Sequence, residues 1–469
     1  MRQRILLVVM TGLALLVPAA AASASSSQYT TVEAPGELLY GGNPGPALDE
    51  VESLGAQAIR LLVNWREIAP EPDAKSAPSF NATDPSAYPD DAWNVYDTAI
   101  TSARARGIRV HLSITGPAPD WATRKHDGLT KPDPAAFGKF ATAVGRRYGK
   151  QVAVWSIWNE PNLGKLLKPI AKNQSATVYR NLYLKAYAGL RSARVRAPIV
   201  LGEFAPRGNR LKDQGTIAPL AFLRSMLCLD KHYRRARGKR CAKVPAQGVA
   251  VHPYSTAAGP FLTPPNKDDV TIGVLSRLTT AIDKAAKAGA ITGGRLPIYV
   301  TEFGVQSYPD KRLGVPLDKQ SDFRSISERI AYLDKRVKAF SQYLLRDDAP
   351  TGSHSAFESG LFLYKNRQAK PALEGFRMPL VVVPSKKASR ATLWGLVRPA
   401  RSAKKAGTVT IQFADKGKRW RKLANQRFGR SGYWKRAVNT KKGRAFRVIW
   451  KAPDGTKHVG PKTVARTRP

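Results

Sequence analysis

Short apolar runs and longer amphipathic stretches alternate along the chain from about Gly36 to Met378. The short runs are rich in β-branched and large aliphatic residues, and their length and composition are typical of buried strands. Eight of these runs are predicted as strands: Leu38 to Gly41, Ala58 to Trp65, Ile108 to Thr115, Val152 to Trp158, Ile199 to Phe204, Gly248 to Tyr254, Ile298 to Phe303 and Val337 to Leu345.

The stretches between these runs repeat apolar residues at the spacing of one helical face. The clearest of them are predicted as helices: Trp93 to Arg106, Ala135 to Tyr148, Ala176 to Arg196, Val270 to Ala288 and Ser321 to Lys335. Eight strands that alternate with helices favour an α/β fold of the (β/α)8 TIM-barrel type. A doubly wound open sheet is the alternative, but the turn at Gly41 to Gly45 lacks the glycine spacing of its phosphate-binding loop.

The pattern changes after Pro379. Leu380 to Val383 and the Pro-Ser-Lys-Lys that follows predict a connector, and beyond it come short alternating segments: Thr408 to Phe413, Tyr433 to Val438 and Ala445 to Trp450. Short strands separated by turn residues at this spacing are typical of a small antiparallel β-sandwich. We therefore expect a barrel domain over residues 25–379 and a β-sandwich domain over residues 385–469.

The first residues have the order of a secretory signal peptide. Arg2 and Arg4 precede an apolar run from Ile5 to Val17, and small residues follow at Ala22 to Ala24. We expect cleavage after Ala24, so that residues 1–24 are removed and the protein is secreted. An uncleaved membrane anchor is the alternative, which is disfavoured because the run is shorter than the roughly 20 residues that span a bilayer.

In a secreted protein two cysteines can form a stable disulfide, because disulfides persist in oxidising compartments. Cys228 and Cys241 bracket a strongly basic stretch, Lys231 to Arg240. A disulfide that closes this loop is the expectation, and two free thiols are the alternative. Two cysteines without a nearby pair of histidines lack a tetrahedral zinc ligand set, so no metal site is expected here.

The chain carries 77 Lys and Arg against 34 Asp and Glu, a formal net charge of +43. This charge attracts polyanions. No nucleic-acid-binding motif accompanies the basic residues, so we expect no specific nucleic-acid partner. Residues 385–469 hold 25 Lys and Arg against two Asp, which suggests contact with an acidic polymer or a cell wall. A solvated basic surface without a partner is the alternative.

Two of the predicted strands end in a glutamate. The fourth runs from Val152 into Trp158-Asn159-Glu160-Pro161-Asn162, and the seventh ends in Thr301-Glu302-Phe303-Gly304. Barrel enzymes carry their chemistry at the carboxyl ends of the strands. Two carboxylates at one face suggest glycoside hydrolysis, in which one protonates the leaving oxygen and the other attacks the anomeric carbon. No cofactor is needed for this chemistry, because both groups come from the protein.

With these two motifs the chain resembles clan A of the glycoside hydrolases, most closely families 5 and 39, from about Gly36 to Met378. The resemblance implies that Glu160 is the acid/base and Glu302 the nucleophile of a retaining, double-displacement hydrolase of O-glycosidic bonds in oligo- or polysaccharides. It also implies that Asn159 binds the sugar 2-hydroxyl, an interaction that strengthens in the transition state.

Other positions match the clan as well. Arg60 resembles the second-strand arginine that keeps the nucleophile ionised. His252 and Tyr254 are similar to the sixth-strand His-x-Tyr, in which the tyrosine donates to the nucleophile and the histidine faces the sugar. His111 stands where family 5 often has a site histidine, although a packed core role is an equal alternative. Each of these residues is therefore a candidate for substrate binding.

The chain also departs from the clan. Many members have a tryptophan on the eighth strand, where this chain has Gln342 and Tyr343. Glu203, at the end of the fifth strand, competes with Glu302 for the nucleophile role, and the motif match favours Glu302. Trp65 and Trp158 are candidate platforms for sugar stacking, with core packing as the alternative. The rival functions are a non-catalytic carbohydrate- or cell-wall-binding protein on the same barrel and a surface attachment protein that acts through its basic tail.

Overall fold

Eight parallel strands close into a barrel, and two antiparallel sheets follow it. This arrangement is seen in a computed structural model that describes residues 25–465 apart from 26, 210–213, 237, 239–240, 350–355, 388 and 403–404. The predicted signal peptide, residues 1–24, lies outside the described residues. Within them, none of the helices combines the length and the apolar character needed to cross a bilayer. The predicted α/β barrel with a C-terminal sandwich is confirmed.

The barrel strands pair in chain order and β8 closes on β1. Their bounds are β1 Tyr29–Glu33, β2 Ala58–Asn64, β3 Arg109–Thr115, β4 Val154–Ile157, β5 Ile199–Phe204, β6 Val249–Val251, β7 Ile298–Val300 and β8 Val337–Tyr343. The α-helices are α1 Pro35–Leu38, α2 Gly45–Ser53, α3 Trp65–Ile68, α4 Asn94–Ala105, α5 Pro134–Tyr148, α6 Gln174–Ser192, α7 Pro219–Met226, α8 Ser276–Lys287, α9 Leu317–Leu333 and α10 Pro371–Arg377.

Alternation along each strand separates two environments, because successive side chains point to opposite faces. The outward side chains join the helices in one large apolar core that includes Leu61, Val110 and Ile157. The inward side chains build a separate small cluster at the amino ends of the strands: Tyr29, Val154, Val200, Ala250, Tyr299 and Ala339. Polar side chains fill the barrel above this cluster, toward the carboxyl ends.

The first predicted strand, Leu38 to Gly41, is wrong. Leu38 is the last residue of the short helix α1, and the barrel begins one element earlier with β1, Tyr29–Glu33. Leu38 and Leu39 are buried in the core from that helix, so they are as apolar as strand residues. The true strand has polar residues at Thr31 and Glu33 because these face into the barrel, which breaks the apolar run that marked the other strands.

The C-terminal strands form a three-stranded sheet in the order β13–β10–β9 and a larger sheet in the order β12–β11–β14–β15, with β16 paired to β14. Their bounds are β9 Leu380–Pro384, β10 Arg390–Leu396, β11 Gly407–Ala414, β12 Arg421–Phe428, β13 Tyr433–Asn439, β14 Ala445–Lys451, β15 Lys457–Val459 and β16 Thr463–Val464. The predicted connector at Leu380 to Val383 is therefore a strand, β9, which pairs with β10. Its apolar residues are buried on both faces of its sheet.

The three-stranded sheet lies between the barrel and the larger sheet. One of its faces packs through Trp394 and Tyr433 against Ile326 and Tyr332 of α9. Its other face contributes Leu393 to the sandwich core with residues of the larger sheet. The larger sheet thus lies beyond the three-stranded sheet, except at its β15–β16 edge, where Val459 and Val464 line a cavity with Asp318 of α9 and Glu374 of α10.

A buried ion pair joins the two domains. Arg398, which is fully buried, binds both oxygens of Glu328 on α9 and donates through Nε to the carbonyl of Phe376. Burial raises the pKa of Glu328, but Arg398 and Arg324 outweigh it and lower that pKa to about 2. Glu328 is therefore ionised at neutral pH, and the pair fixes the sandwich against the barrel.

Candidate active site

The carboxyl ends of the barrel strands bring together four carboxylates, an arginine and a histidine. Glu160 follows β4, Glu203 lies in β5, His252 follows β6 and Glu302 follows β7. One oxygen of Glu160, one oxygen of Glu302 and one ring nitrogen of His252 all lie within 4.8 Å of one another. The predicted pair of glutamates is thus brought together at one end of the barrel.

Glu302 is held through both carboxylate oxygens. Its Oε1 accepts a hydrogen bond from Arg60 Nη1 at 2.8 Å, and its Oε2 accepts one from the Tyr254 hydroxyl at 3.1 Å. The side chain of Glu302 is 11% exposed, so it is buried on the protein side and open on the other.

Glu160 is the more exposed of the pair, with 17% of its side chain accessible. Its backbone leaves the strand at positive φ values, 68° at Trp158 and 42° at Glu160, which non-glycine residues rarely adopt and which cluster at functional sites. The Glu160 amide donates to the Glu203 carbonyl at 3.0 Å, so the neighbouring β5 holds this turn. The turn aims the carboxyl group toward Glu302.

His252 bridges the two glutamates. Its Nδ1 lies 2.9 Å from Glu160 Oε1 and 3.4 Å from Glu302 Oε2. Burial lowers the pKa of His252, but the charges of Glu302 and Glu160 outweigh this effect and raise that pKa above its ordinary value. A proton on Nδ1 can therefore stay between the two carboxyl groups.

Arg60 connects the site to a buried layer beneath it. Its Nε and Nη2 donate to the two oxygens of Glu203 at 2.9 and 2.7 Å, and Nη2 also donates to Asn159 Oδ1 at 2.8 Å. Glu203 is fully buried and also accepts from the Ser113 hydroxyl at 2.7 Å. Burial raises the pKa of Glu203, but Arg60 outweighs it and lowers that pKa to about 2.

Glu203 therefore lies behind Arg60 and not in the open part of the site. Its backbone has φ 114°, a value that an L-residue adopts only where its surroundings impose it. The sequence left Glu203 as a rival to Glu302. The burial and the ion pair with Arg60 instead give Glu203 the geometry of a supporting residue.

Glu33, at the end of β1, is a site residue that the sequence prediction missed. Its Oε2 accepts from Arg60 Nη1 at 2.6 Å, while its Oε1 is buried without a hydrogen-bond partner among the described residues. Burial, together with the nearby Glu302 and Glu203, outweighs Arg60 and raises the pKa of Glu33 well above its usual range. A correct first strand would have shown it as a fourth carboxylate at a strand end, beside Glu160, Glu203 and Glu302.

The prediction that Trp65 and Trp158 are stacking platforms is corrected by their burial. They are 1% and 0% exposed, and both rings pack on Phe137 of α5. Trp158 Nε1 also donates to the Leu166 carbonyl. Both rings are core residues behind the strand ends, so they offer no free face to a sugar.

Of the candidate residues on β8 and β3, only Tyr343 reaches the site, whereas Gln342 and His111 are buried in the interior. Gln342 donates to the carbonyls of Leu344 and Ser359 and accepts from Arg324, all in the interior, whereas Tyr343 is half-buried with its ring edge-on to Tyr254. Tyr343 is thus the eighth-strand residue at the site. His111 is buried and contacts Ser156 of β4, so its candidate role in substrate contact is corrected to a packed one.

Asn159 combines a fixed acceptor with a free donor. Its Oδ1 is taken by Arg60, and its Nδ2 has no hydrogen-bond partner within the part of the chain that the structure describes. The amide nitrogen is therefore the group that can donate to a ligand. The spacing of Glu160, His252 and Glu302 would also suit metal ligands, and the expectation that no metal is needed stays a prediction.

The predicted disulfide is present in the structure. Cys228 and Cys241 are joined, with their Cα atoms 6.3 Å apart. The loop that they close lies next to α8, where Arg235 donates to the Gly289 carbonyl.

Comparisons with known proteins support the fold. No protein-family model and no curated protein matches the chain. A solved family 39 glycoside hydrolase from Bacteroides cellulosilyticus WH2 is 14% identical, with a TM-score of 0.55 over 91% of this chain and 81% of that one. A glucosidase from Croceicoccus marinus is 12% identical, with a TM-score of 0.53 over 91% of this chain and 95% of that one. The chain therefore shares its fold with glycoside hydrolases of the clan that its motifs resemble.

Proposed function

We propose that the protein is a retaining glycoside hydrolase that cleaves O-glycosidic bonds of a carbohydrate, with Glu302 as nucleophile and Glu160 as acid/base. The observation that carries the proposal is the approach of a Glu160 oxygen to within 4.8 Å of a Glu302 oxygen. Retaining enzymes hold their two carboxyl groups about 5 to 5.5 Å apart, whereas inverting enzymes leave roughly 6.5 to 9.5 Å for a water molecule.

The first step forms a bond between a Glu302 oxygen and the anomeric carbon while the bond from that carbon to the leaving oxygen breaks. Glu160 gives its proton to the leaving oxygen. In the second step water attacks the anomeric carbon, Glu160 takes the proton from water, and the bond to Glu302 breaks. Two inversions give net retention of the anomeric configuration.

The surrounding residues orient the nucleophile, hold a proton and bind the substrate. Arg60 and Tyr254 each donate to one oxygen of Glu302 and so fix the direction of attack. His252 contacts both carboxyl groups and can keep a proton near the leaving group. Asn159, whose oxygen is held by Arg60, presents its amide nitrogen for the sugar 2-hydroxyl.

Secretion belongs to the same proposal. It is supported by the order of charged, apolar and small residues before Ser25 and by the Cys228–Cys241 disulfide, since disulfides persist outside the cytosol. Mass spectrometry of the exported protein tests it, with Ser25 as the expected first residue. A retained, full-length amino terminus would contradict it.

Hydrolysis is tested with a panel of aryl glycosides and polysaccharides, followed by NMR of the first-formed product. Retention at the anomeric carbon is expected, and an inverted first product would contradict the double displacement. Glu302→Gln should reduce turnover by about 10⁴-fold or more with an unchanged fold, because the amide is isosteric. The matched control is the same substitution at an exposed position, Glu52→Gln, which should leave turnover unchanged. Glycan binding without any cleavage would instead favour the non-catalytic alternative.

A further inference from the structure

The outer face of the larger C-terminal sheet carries a cluster of positive charges. Val409, Ile411, Phe446 and Val448 of β11 and β14 point into the sandwich core. Because side chains alternate along a strand, the residues between them point to the opposite face, away from the sandwich core. We name this surface the outer cationic face; its charged residues are Lys422, Arg427, Arg447, Lys451 and Lys457.

Strand register places these residues on one surface. Gln412 pairs with Lys422 on one side and with Arg447 on the other, so these three form a row across β12, β11 and β14. Lys451 pairs with Lys457 at the far end of β14. With about 3.3 Å per residue and about 4.8 Å between strands, the cluster spans roughly 13 Å along the strands and roughly 14 Å across them.

The middle of the face is uncharged. Thr410 pairs with Ile449, and Ile449 pairs with Val459, and all three are partly or fully exposed. Residues 385–469 contain two acids, Asp415 and Asp454. Asp415 is held by Arg444 and Lys441 outside the face, and Asp454 accepts from the Thr456 amide in the turn before β15. Among the described residues, no acid on these strands neutralises the face.

The side chain of Arg447 is held in place by contacts that do not involve its two Nη groups. Its Nε donates to Gln412 Oε1 at 2.8 Å, and its guanidinium lies 4.3 Å from the centre of the half-buried Trp420 ring. In the part of the chain that the structure describes, its two Nη groups have no hydrogen-bond partner. A guanidinium that is held by its Nε and by an aromatic ring is ready for a carboxylate or sulfate, which it binds through two parallel hydrogen bonds.

We infer that the outer cationic face binds an anionic polysaccharide. The charges match carboxylate or sulfate groups, while the Ile449–Val459 strip offers apolar surface to the faces of the sugar rings. A polyphosphate chain would use the charges but not the apolar surface. A single aromatic ring also falls short of the successive stacking platforms that single-stranded nucleic acids require. The inference is independent of the proposed hydrolase activity, since no residue of this face belongs to the candidate active site.

The test compares two triple variants of the whole secreted chain that remove the same total charge. The face variant is K422Q/R447Q/K451Q, and the control is K386Q/K387Q/K435Q, whose three lysines are exposed on the other side of the domain. Binding to polygalacturonate is measured by calorimetry at 150 mM salt. The face variant should lose affinity about tenfold or more, and the control less than about twofold. Equal losses would overturn the inference, because they would mean that net charge alone attracts the polymer.

A single substitution separates the two classes of anion. Ile449→Ser should weaken binding to polygalacturonate by about fivefold and leave binding to inorganic polyphosphate unchanged, because Ile449 lies in the uncharged middle of the face and holds none of its charges. An unchanged affinity for polygalacturonate, or tighter binding of the wild-type protein to polyphosphate, would overturn the assignment to a polysaccharide. Hydrolysis of an aryl glycoside is measured in parallel and should be the same in all variants. A chain that binds the polymer but hydrolyses nothing would contradict the proposed function and leave this inference standing.

Discussion

Replacement of Glu203 by glutamine tests the buried layer beneath the site. The substitution keeps the shape of the side chain but removes the negative charge that Arg60 binds at 2.9 and 2.7 Å. Arg60 lowers the pKa of Glu203 from the ordinary 4.5 to about 2. Since one pKa unit is worth about 1.4 kcal/mol, the ionised carboxylate contributes on the order of 3 kcal/mol to the free energy of unfolding.

The pH dependence of this contribution has a definite sign. A carboxylate with a depressed pKa in the folded state stabilises the fold above its unfolded pKa, near 4.5, and this stabilisation is lost as the pH falls toward 2. Glu203→Gln should therefore unfold about 3 kcal/mol more easily than the wild-type protein at pH 7, and the difference should shrink below pH 4.5. Denaturant titrations at pH 7 and pH 3 measure it.

The matched control is Ser113→Ala, which removes one hydrogen bond from Glu203 but leaves its charge. It should cost about 1 kcal/mol at both pH values. Activity gives a second measurement, because Glu203 positions Arg60 and thereby Glu302 and Asn159. A misplaced site costs about a hundredfold in kcat. Wild-type stability of Glu203→Gln at pH 7, or a deficit that is the same at pH 3, would refute the reasoning.

Three further predictions concern the acid/base, the domain interface and the disulfide. Glu160→Ala should slow glycosides with poor leaving groups far more than activated aryl glycosides, which need little protonation; equal losses in kcat/KM would argue against the acid role. Arg398→Met should lower the free energy of unfolding by about 3 to 5 kcal/mol, because it leaves the buried Glu328 without its main partner; a near-wild-type denaturation curve would contradict this. Replacing Cys228 and Cys241 by serine should cost about 3 kcal/mol for a loop of 13 residues, and the wild-type protein should lose the same amount under reducing conditions.

The strands with clear apolar runs could be predicted from the sequence. Ile199–Phe204 has the predicted bounds, and the ends of the other predicted strands from Ala58 onward lie within three residues of the observed ends. Their outward faces pack on helices, so a run of large aliphatic residues marks them. The first strand could not be found in this way, because Thr31 and Glu33 face a polar interior and the next apolar segment, at Leu38, belongs to a helix.

The candidate site was predicted in part for a similar reason. Glu160 and Glu302 follow strands whose position was clear, Arg60 lies within another such strand, and the structure brings the three together. Glu33 was missed together with its strand. The burial of Trp65 and Trp158 depends on Phe137 of α5, which is distant in the chain, so no local pattern distinguishes these rings from exposed platforms.

The assignment of Glu302 as nucleophile is tested most directly by trapping the covalent intermediate. An activated 2-deoxy-2-fluoro glycoside of the sugar identified in the hydrolysis panel slows the second step, and peptide mass spectrometry then locates the bound sugar. The account predicts one sugar per chain, attached to Glu302, with no label in Glu302→Gln. A label on Glu203 or Glu33, or full turnover by Glu302→Gln, would contradict it.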